Sequence, residues 1–199
     1  MSLLIESIRC QDGAFYNLDY HQQRVDRAFR ELFRGAPHNL DQLLESTQRP
    51  SRGCFKCRIE YDETTSRVAL TPYAPRRVET LLAVYDDTIA YPHKFRDRRA
   101  IDHWFGLRGS CDDILIIRNG EVTDTSIANI VFRRGDDWYT PADPLLPGTM
   151  RQSLIDKGKI RPITIRKEDI PSFESFRLIN AMIGFEAPEQ PVSKIVLQF

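Results

Sequence analysis

Apolar and polar residues in the first ninety positions follow two different periods. Residues 19–34 place apolar side chains every three or four positions, as the buried face of a helix requires. Other short stretches alternate or run apolar between turn-forming residues, which is typical of β-strands. The predicted elements are strands at 3–8, 15–18, 55–61, 67–73 and 81–89 and helices at 19–34 and 40–46.

The segment Tyr91-Pro92-His93 interrupts this pattern and marks the expected crossing into a second domain. We therefore predict a small α/β domain over residues 1–91 and a second domain over residues 92–199. A helix headed by Lys94 should open the second domain. Its further predicted elements are strands at 138–140, 162–165, 176–183 and 194–198 and a helix from about 148 to 157.

The stretch 113–132 contains the strongest turn signal in the chain, Asn119-Gly120, which favours a tight hairpin. The strand predicted to follow this turn carries five polar residues: Thr123, Asp124, Thr125, Ser126 and Asn129. One interpretation is an edge strand whose polar side chains face solvent. The other is a strand bent around a polar ligand, because such a segment is costly to bury without partners.

Composition excludes several classes of function. Of 199 residues, 41% are hydrophobic and 28% are charged, as in ordinary globular proteins, and 28 basic residues balance 28 acidic ones. No net basic field favours nucleic acid or an anionic membrane. No apolar run could span a membrane and no secretion signal opens the chain, so we expect a cytoplasmic protein. Cys54 and Cys57 lack a second ligand pair at zinc spacing, which predicts structural thiols and no metal site.

The central stretch resembles a known family. Gly120-x-Val-Thr-Asp124-x-Ser126-x-x-Asn129-Ile-x-Phe132 is similar to the pattern G-x-V-x-E-x-S/T-x-x-N-[LI]-F of the class IV aminotransferases, which are fold-type IV pyridoxal-phosphate enzymes. The resemblance implies an α+β fold whose C-terminal domain is a distorted β-barrel with helices. It also implies a homodimer, because a partner chain completes such sites. Asp124, in place of the usual glutamate, would face the pyridine nitrogen, whose protonation lets the ring accept electrons.

The segment Lys94-x-x-Asp97-Arg98 resembles the family's K-x-x-N-R, in which the lysine forms a Schiff base with the cofactor aldehyde. Several cations at a helix start are electrostatically unfavourable, which favours a functional lysine over a solvated first turn. Lys94 is therefore the predicted catalytic residue. Arg98 is assigned to substrate binding, and Asp97 departs from the family's asparagine.

Two further blocks resemble the family's phosphate-binding elements. Leu18-x-x-His21-x-x-Arg24 is similar to L-x-x-H-x-x-R-L, whose arginine holds the cofactor phosphate, as a guanidinium can through parallel hydrogen bonds. Leu145 to Arg151 is similar to a block whose backbone amides bind the same phosphate at a helix start. The resemblance therefore assigns the phosphate to Arg24, Gly148, Thr149 and Met150. The histidines show no triad or metal spacing, and we expect ordinary hydrogen-bonding roles for them.

Residues 178–184 resemble the T-N-[AS]-L-x-G block of the lyase branch of the family. Ile179 replaces the threonine, and its side chain has no hydroxyl to make the phosphate contact that the threonine makes in the family. Asn180 is predicted to face the substrate carboxylate, and the alternative is a buried amide satisfied by the protein itself.

These motifs predict a pyridoxal-phosphate-dependent 4-amino-4-deoxychorismate lyase, which gives 4-aminobenzoate and pyruvate. Lys94-x-x-x-Arg98 and the 180–184 block favour this branch. Asp97, Ile179 and the short chain leave open an aminotransferase for a small branched-chain or D-amino acid. A further alternative is a non-catalytic relative that only binds a ligand, against which the presence of Lys94 argues.

Overall fold

The computed structural model describes residues 3–197 of a mixed α+β protein with two sheets and few helices. The chain forms two compact units. One comprises the chain up to Pro75 together with His93–Asp97, and the other comprises Arg76–Pro92 and the chain from Arg98 onward. This division differs from the boundary expected after Tyr91. Residues 81–85 pair within the second sheet, whereas the segment around Lys94 pairs with the first strand.

The first unit is built on a four-stranded antiparallel sheet. Its elements are β1 (Leu4–Gln11), β2 (Ala14–Phe15), α1 (Leu18–Leu32), α2 (Leu40–Glu45), β3 (Cys54–Tyr61) and β4 (Ser66–Pro72). The strand order is β2-β1-β3-β4. Val25, Ala28 and Phe29 of α1 are buried as the apolar period predicts, and they pack against β1 and β3. Leu32, which belongs to the same apolar pattern, is 40% exposed, and His21 and Arg24 are buried instead.

The second unit contains a nine-stranded mixed sheet. Its elements are β5 (Leu81–Tyr85), α3 (Arg99–Gly106), β6 (Asp113–Arg118), β7 (Glu121–Thr125), β8 (Asn129–Arg134), β9 (Asp137–Pro141), α4 (Thr149–Asp156), β10 (Arg161–Ile163), β11 (Ser175–Ile179), β12 (Gln190–Pro191) and β13 (Ile195–Val196). Two 3₁₀ helices, Lys167–Ser172 and Val192–Lys194, lie between strands. The strand order of the sheet is β10-β9-β8-β7-β6-β5-β13, and β11 pairs with both β8 and β12.

The hairpin predicted at Asn119-Gly120 is confirmed. Both residues have positive φ angles, 52° and 77°, as a tight two-residue turn between twisted strands requires. The strand predicted to run on to residue 132 is wrong, since β7 and β8 are separate antiparallel strands joined by a turn at 126–128. Thr125 bridges the turn, because its Oγ1 donates to the carbonyl of Ala128 and accepts from the amide of Ala128, and its own amide donates to the same carbonyl. All five polar residues of this segment are buried, so the solvent-facing interpretation is wrong as well.

The helix predicted to begin at Lys94 begins at Arg99 instead. The amide of Ile5 donates to the carbonyl of Lys94 at 2.9 Å, and the amide of Arg96 donates to the carbonyl of Leu3 at 2.8 Å. These sheet-like bonds hold residues 94–96 in an extended conformation. The argument from cations at a helix start therefore does not apply to Lys94.

Several strands are shorter than predicted. The strands expected at 81–89 and 176–183 end at Tyr85 and Ile179. The strand expected at 194–198 appears as β13, and the last residue of that prediction, Gln198, lies outside the described residues. No helix within residues 3–197 is long and apolar enough to cross a membrane. In the same residues, no group of three or more His, Cys, Asp or Glu is placed to hold a metal ion.

Candidate active site

A buried charged cluster in the first unit surrounds Arg24. The guanidinium donates two parallel hydrogen bonds to Glu6, from Nε to Oε1 at 2.9 Å and from Nη2 to Oε2 at 2.5 Å. The Nδ1 of His21 lies 2.5 Å from Glu6 Oε2. Glu6 and His21 are fully buried and Arg24 is 8% exposed. Arg24 is thus held in a fixed orientation by a carboxylate beneath it.

The electrostatics of this cluster follow from its geometry. Burial alone would raise the pKa of Glu6, but the charge of Arg24 and the hydrogen bonds from His21 and Arg24 outweigh it and lower the pKa to about 2. Glu6 is therefore ionised and can only accept. It follows that Nδ1 of His21 carries the proton in this contact. Burial lowers the pKa of His21 itself, so the imidazole is neutral at pH 7.

Lys94 belongs to the same unit and lies close to this cluster. Its carbonyl accepts from the amide of Ile5, the residue before Glu6. Its positive charge acts in the same direction as burial on the pKa of His21. The structure therefore brings together the two residues for which the family resemblance implies the phosphate contact and the covalent attachment, Arg24 and Lys94.

Asp124 is the centre of a second polar cluster, which lies in the second unit. Its Oδ1 accepts from Asn129 Nδ2 at 2.6 Å, and its Oδ2 accepts from the amide of Leu146 at 2.8 Å. Asn129 Nδ2 also donates to the carbonyl of Leu146 at 2.9 Å. Asp124 is 5% exposed and forms no ion pair within residues 3–197. Burial raises its pKa to about 6, against the effect of these hydrogen bonds and of Arg151.

The start of helix α4 lies against the same asparagine. A Cβ atom built on Gly148 would lie 2.0 Å from Asn129 Oδ1, so only glycine allows this close approach. Gly148 has φ −74°, which any residue can adopt, and the requirement is therefore steric. The first turn of α4 has no acidic residue, and it contains the buried cation Arg151, whose Nη2 donates to the carbonyl of Pro141 at 2.8 Å. The dipole of a helix and this charge both favour an anion at the helix start.

Arg98 and Asn180 both hold the turn at 126–128. Arg98 Nη2 donates to the carbonyl of Ser126 at 2.9 Å, and Asn180 Nδ2 donates to the carbonyl of Ile127 at 3.0 Å. The Oδ1 of Asn180 accepts from the amides of Met182 and Ile183. This is the alternative in which the protein satisfies the amide. The substrate contacts predicted for Arg98 and Asn180 stay predictions.

Sequence reasoning missed Glu6, Asn129 and Arg151 as functional candidates. A signal existed for Glu6, because it shares one strand face with Leu4 and Ile8, where the alternation calls for an apolar side chain. His21 and Arg24 likewise lie on the buried face of α1, three positions apart. Asn129 and Arg151 belong to the motif patterns themselves, but single positions in a pattern do not reveal their contacts.

Comparison with known proteins places these features in a family. Residues 101–195 match the family model for amino-transferase class IV. A Haemophilus influenzae protein of uncharacterised function is 39% identical over 184 residues, which cover 91% of this chain and 98% of that protein.

Solved structures agree with that match. A Haemophilus somnus protein provisionally named a 4-amino-4-deoxychorismate lyase is 35% identical and has a TM-score of 0.87, with 93% of this chain and 98% of that chain covered. A Mesorhizobium loti protein provisionally named an amino-acid aminotransferase has a TM-score of 0.78 at 22% identity, with both chains covered completely. The second likeness shows the fold alone.

Proposed function

This chain belongs to the amino-transferase class IV family, and we propose that it is a pyridoxal-phosphate-dependent 4-amino-4-deoxychorismate lyase that produces 4-aminobenzoate and pyruvate. The observation that carries this proposal is the 35% identity and 0.87 TM-score with the Haemophilus somnus protein over nearly the whole of both chains. The short chain no longer argues against the lyase, because two relatives are covered to 98% of their own length.

The residues of both units suit pyridoxal phosphate. Asp124 is a buried carboxylate that forms no ion pair in the described part of the chain, and a protonated pyridine nitrogen would supply one. The amides of Gly148, Thr149 and Met150 at the start of α4, together with Arg24, would hold the phosphate. Lys94 would form the covalent bond to the aldehyde. When bound, the cofactor supplies an electron sink that stabilises negative charge on a substrate carbon.

The protein's own residues would then perform the proton chemistry. The Nζ of Lys94 would accept the proton from the substrate carbon that bears the amine. Glu6 would keep the guanidinium of Arg24 in place, so that no reorganisation is needed when an anion binds. Cleavage of the ring carbon–oxygen bond would release the enolpyruvyl group, which takes up a proton to become pyruvate. The ring that remains is aromatic, which makes the step effectively irreversible.

The finer arrangement also belongs to this proposal. We propose that the two units are the α/β domain and the barrel-like domain of a fold-type IV enzyme, and that a homodimer completes the site. An aminotransferase for a small branched-chain or D-amino acid is the second candidate, since Asp97 and Ile179 depart from the lyase motifs.

Purified protein loaded with pyridoxal phosphate tests the proposal directly. With 4-amino-4-deoxychorismate it should release 4-aminobenzoate and pyruvate in equal amounts. Lys94→Ala should abolish this release and the visible absorption of the bound cofactor, whereas Lys159→Ala, at an exposed position, should change neither. Conversion of D-alanine or a branched-chain amino acid to its keto acid, without any aminobenzoate, would favour the aminotransferase. Failure to bind the cofactor would leave only the non-catalytic alternative.

A further inference from the structure

We infer that the hydroxyl of Ser126 is a ligand-binding group that donates a hydrogen bond to an anionic oxygen of the bound ligand. The shared chemistry is that of an oxyanion, which a cofactor phosphate or a substrate carboxylate can supply. This inference rests on the proposed function for the identity of the ligand. It assigns a contact that the sequence motifs leave without a role.

The hydroxyl of Ser126 is buried and has no protein partner. Ser126 is 5% exposed, and its Oγ has no hydrogen-bond partner among residues 3–197. The backbone of the same residue is fully used: its amide donates to Asp113 Oδ1 at 3.3 Å, and its carbonyl accepts from Arg98 Nη2 at 2.9 Å. The side chain is therefore the one polar group of Ser126 that lacks a partner.

Other buried hydroxyl groups of the second unit do not share this property. Thr123, Thr125 and Thr140 each donate to a backbone carbonyl at 2.9 to 3.0 Å. Ser175, which is also 5% exposed, donates to Glu189 Oε1. Burial of a hydroxyl without a partner lowers stability, so folded proteins pair such groups or use them. Ser126 is the exception in a set that is otherwise satisfied.

The backbone around this hydroxyl is held from several sides. Arg98 and Asn180 bind the carbonyls of residues 126 and 127, and the side chain of Thr125 closes the turn. Asp113, which accepts from the amide of Ser126, is itself held by Arg76 at 2.7 Å. The hydroxyl is thus placed before any ligand arrives, as a binding group should be.

The chemistry of the partner follows from what a hydroxyl needs. A serine hydroxyl must give its proton to an acceptor, and no described protein atom is in reach. Ser126 lies two residues after Asp124, the residue proposed to meet the cofactor ring. The strongest acceptors on the proposed ligands are phosphate and carboxylate oxygens. A hydrogen bond to such an oxygen would satisfy the hydroxyl only in the bound state.

The test compares Ser126→Ala with Ser175→Ala, the same change at an equally buried hydroxyl that has a partner. Thermal midpoints are measured for the ligand-free proteins, and dissociation constants for inorganic phosphate, pyridoxal phosphate and 4-aminobenzoate. Ser126→Ala should keep or raise the thermal midpoint, and it should raise the dissociation constant for at least one of the three probes by roughly tenfold. Ser175→Ala should lower the thermal midpoint and leave all three constants unchanged. Ser126→Thr, which keeps a hydroxyl, should recover part of the lost affinity.

The pattern of losses identifies the source of the oxyanion. Weaker phosphate and cofactor binding indicates the phosphate, and weaker 4-aminobenzoate binding alone indicates a carboxylate. If wild type binds phosphate or 4-aminobenzoate through this hydroxyl but does not bind the cofactor, the proposed function fails and this inference stands. If Ser126→Ala matches wild type for every probe that wild type binds, the inference is overturned and the proposed function is untouched. If wild type binds none of the probes, both fall.

Discussion

The pair formed by Glu6 and Arg24 should control the stability of the first unit at acid pH. The pKa of Glu6 falls from 4.5 to about 2 on folding, because Arg24 and His21 stabilise the carboxylate more than burial opposes it. That difference corresponds to about 3 kcal/mol in favour of the folded protein. Because the folded pKa is the lower one, this contribution is complete above about pH 4.5 and is lost as the pH falls toward 2.

Glu6→Gln removes the charge and leaves a buried guanidinium without its counterion. Loss of one partner of a buried ion pair typically costs about 3–5 kcal/mol, so the variant should be destabilised by roughly that amount at pH 7. Urea unfolding followed by circular dichroism between pH 7 and pH 2 measures the difference between wild type and variant. The difference should be constant above pH 5 and should shrink as the pH falls.

A double variant provides the control. Glu6→Gln combined with Arg24→Gln removes both charges, so it should be less destabilised at pH 7 than Glu6→Gln alone. A stability difference between wild type and Glu6→Gln that does not change with pH would refute the reasoning. So would a double variant that is as unstable as the sum of the two single variants.

Three other predictions follow from the second unit and from the assembly. Burial raises the pKa of Asp124 from 3.8 to about 6. The free energy of unfolding of the ligand-free protein should therefore fall by about 3 kcal/mol, relative to that of Asp124→Asn, as the pH rises from about 4 to about 6. A difference that stays constant or grows in the other direction contradicts this. Gly148→Ala should lower stability by roughly 1–3 kcal/mol through its clash with Asn129, whereas Gly106→Ala, whose Cβ meets no atom within 4 Å, should change the thermal midpoint little. The protein should sediment as a homodimer at micromolar concentration, and a monomer would contradict the proposed assembly.

Local signals predicted local structure well. A tight turn requires positive φ angles that few residue pairs tolerate, so the pair Asn119-Gly120 was enough to predict the hairpin. The apolar period of α1 identified Val25, Ala28 and Phe29 as buried, because 3.6 residues per turn place them on one face, but it did not identify His21 and Arg24, which are buried as well. The family motifs identified groups of residues along the chain, and the structure brings Asp124, Asn129 and Gly148 from two of these motifs into contact.

Contacts between distant segments could not be predicted in the same way. Residues 94–96 pair with residues 3–5 although their sequence has a helical pattern, and no residue near Lys94 in the sequence indicates this pairing. The reversal at 126–128 is bridged by the side chain of Thr125 and held by Arg98 and Asn180, which are distant in the sequence. The burial of Glu6 could not be predicted from β1 alone, because its partners His21 and Arg24 lie on α1.

The pairing of residues 94–96 with β1 also bears on how the protein is made. On the ribosome, the strands of the first sheet emerge well before Lys94, and until then the edge of β1 at Leu3–Ile5 stays open. An open apolar strand edge is a template for aggregation. We therefore expect a shortened chain that ends at Tyr91 to aggregate, and one that extends to Asp97 and closes this edge to be the better-behaved product.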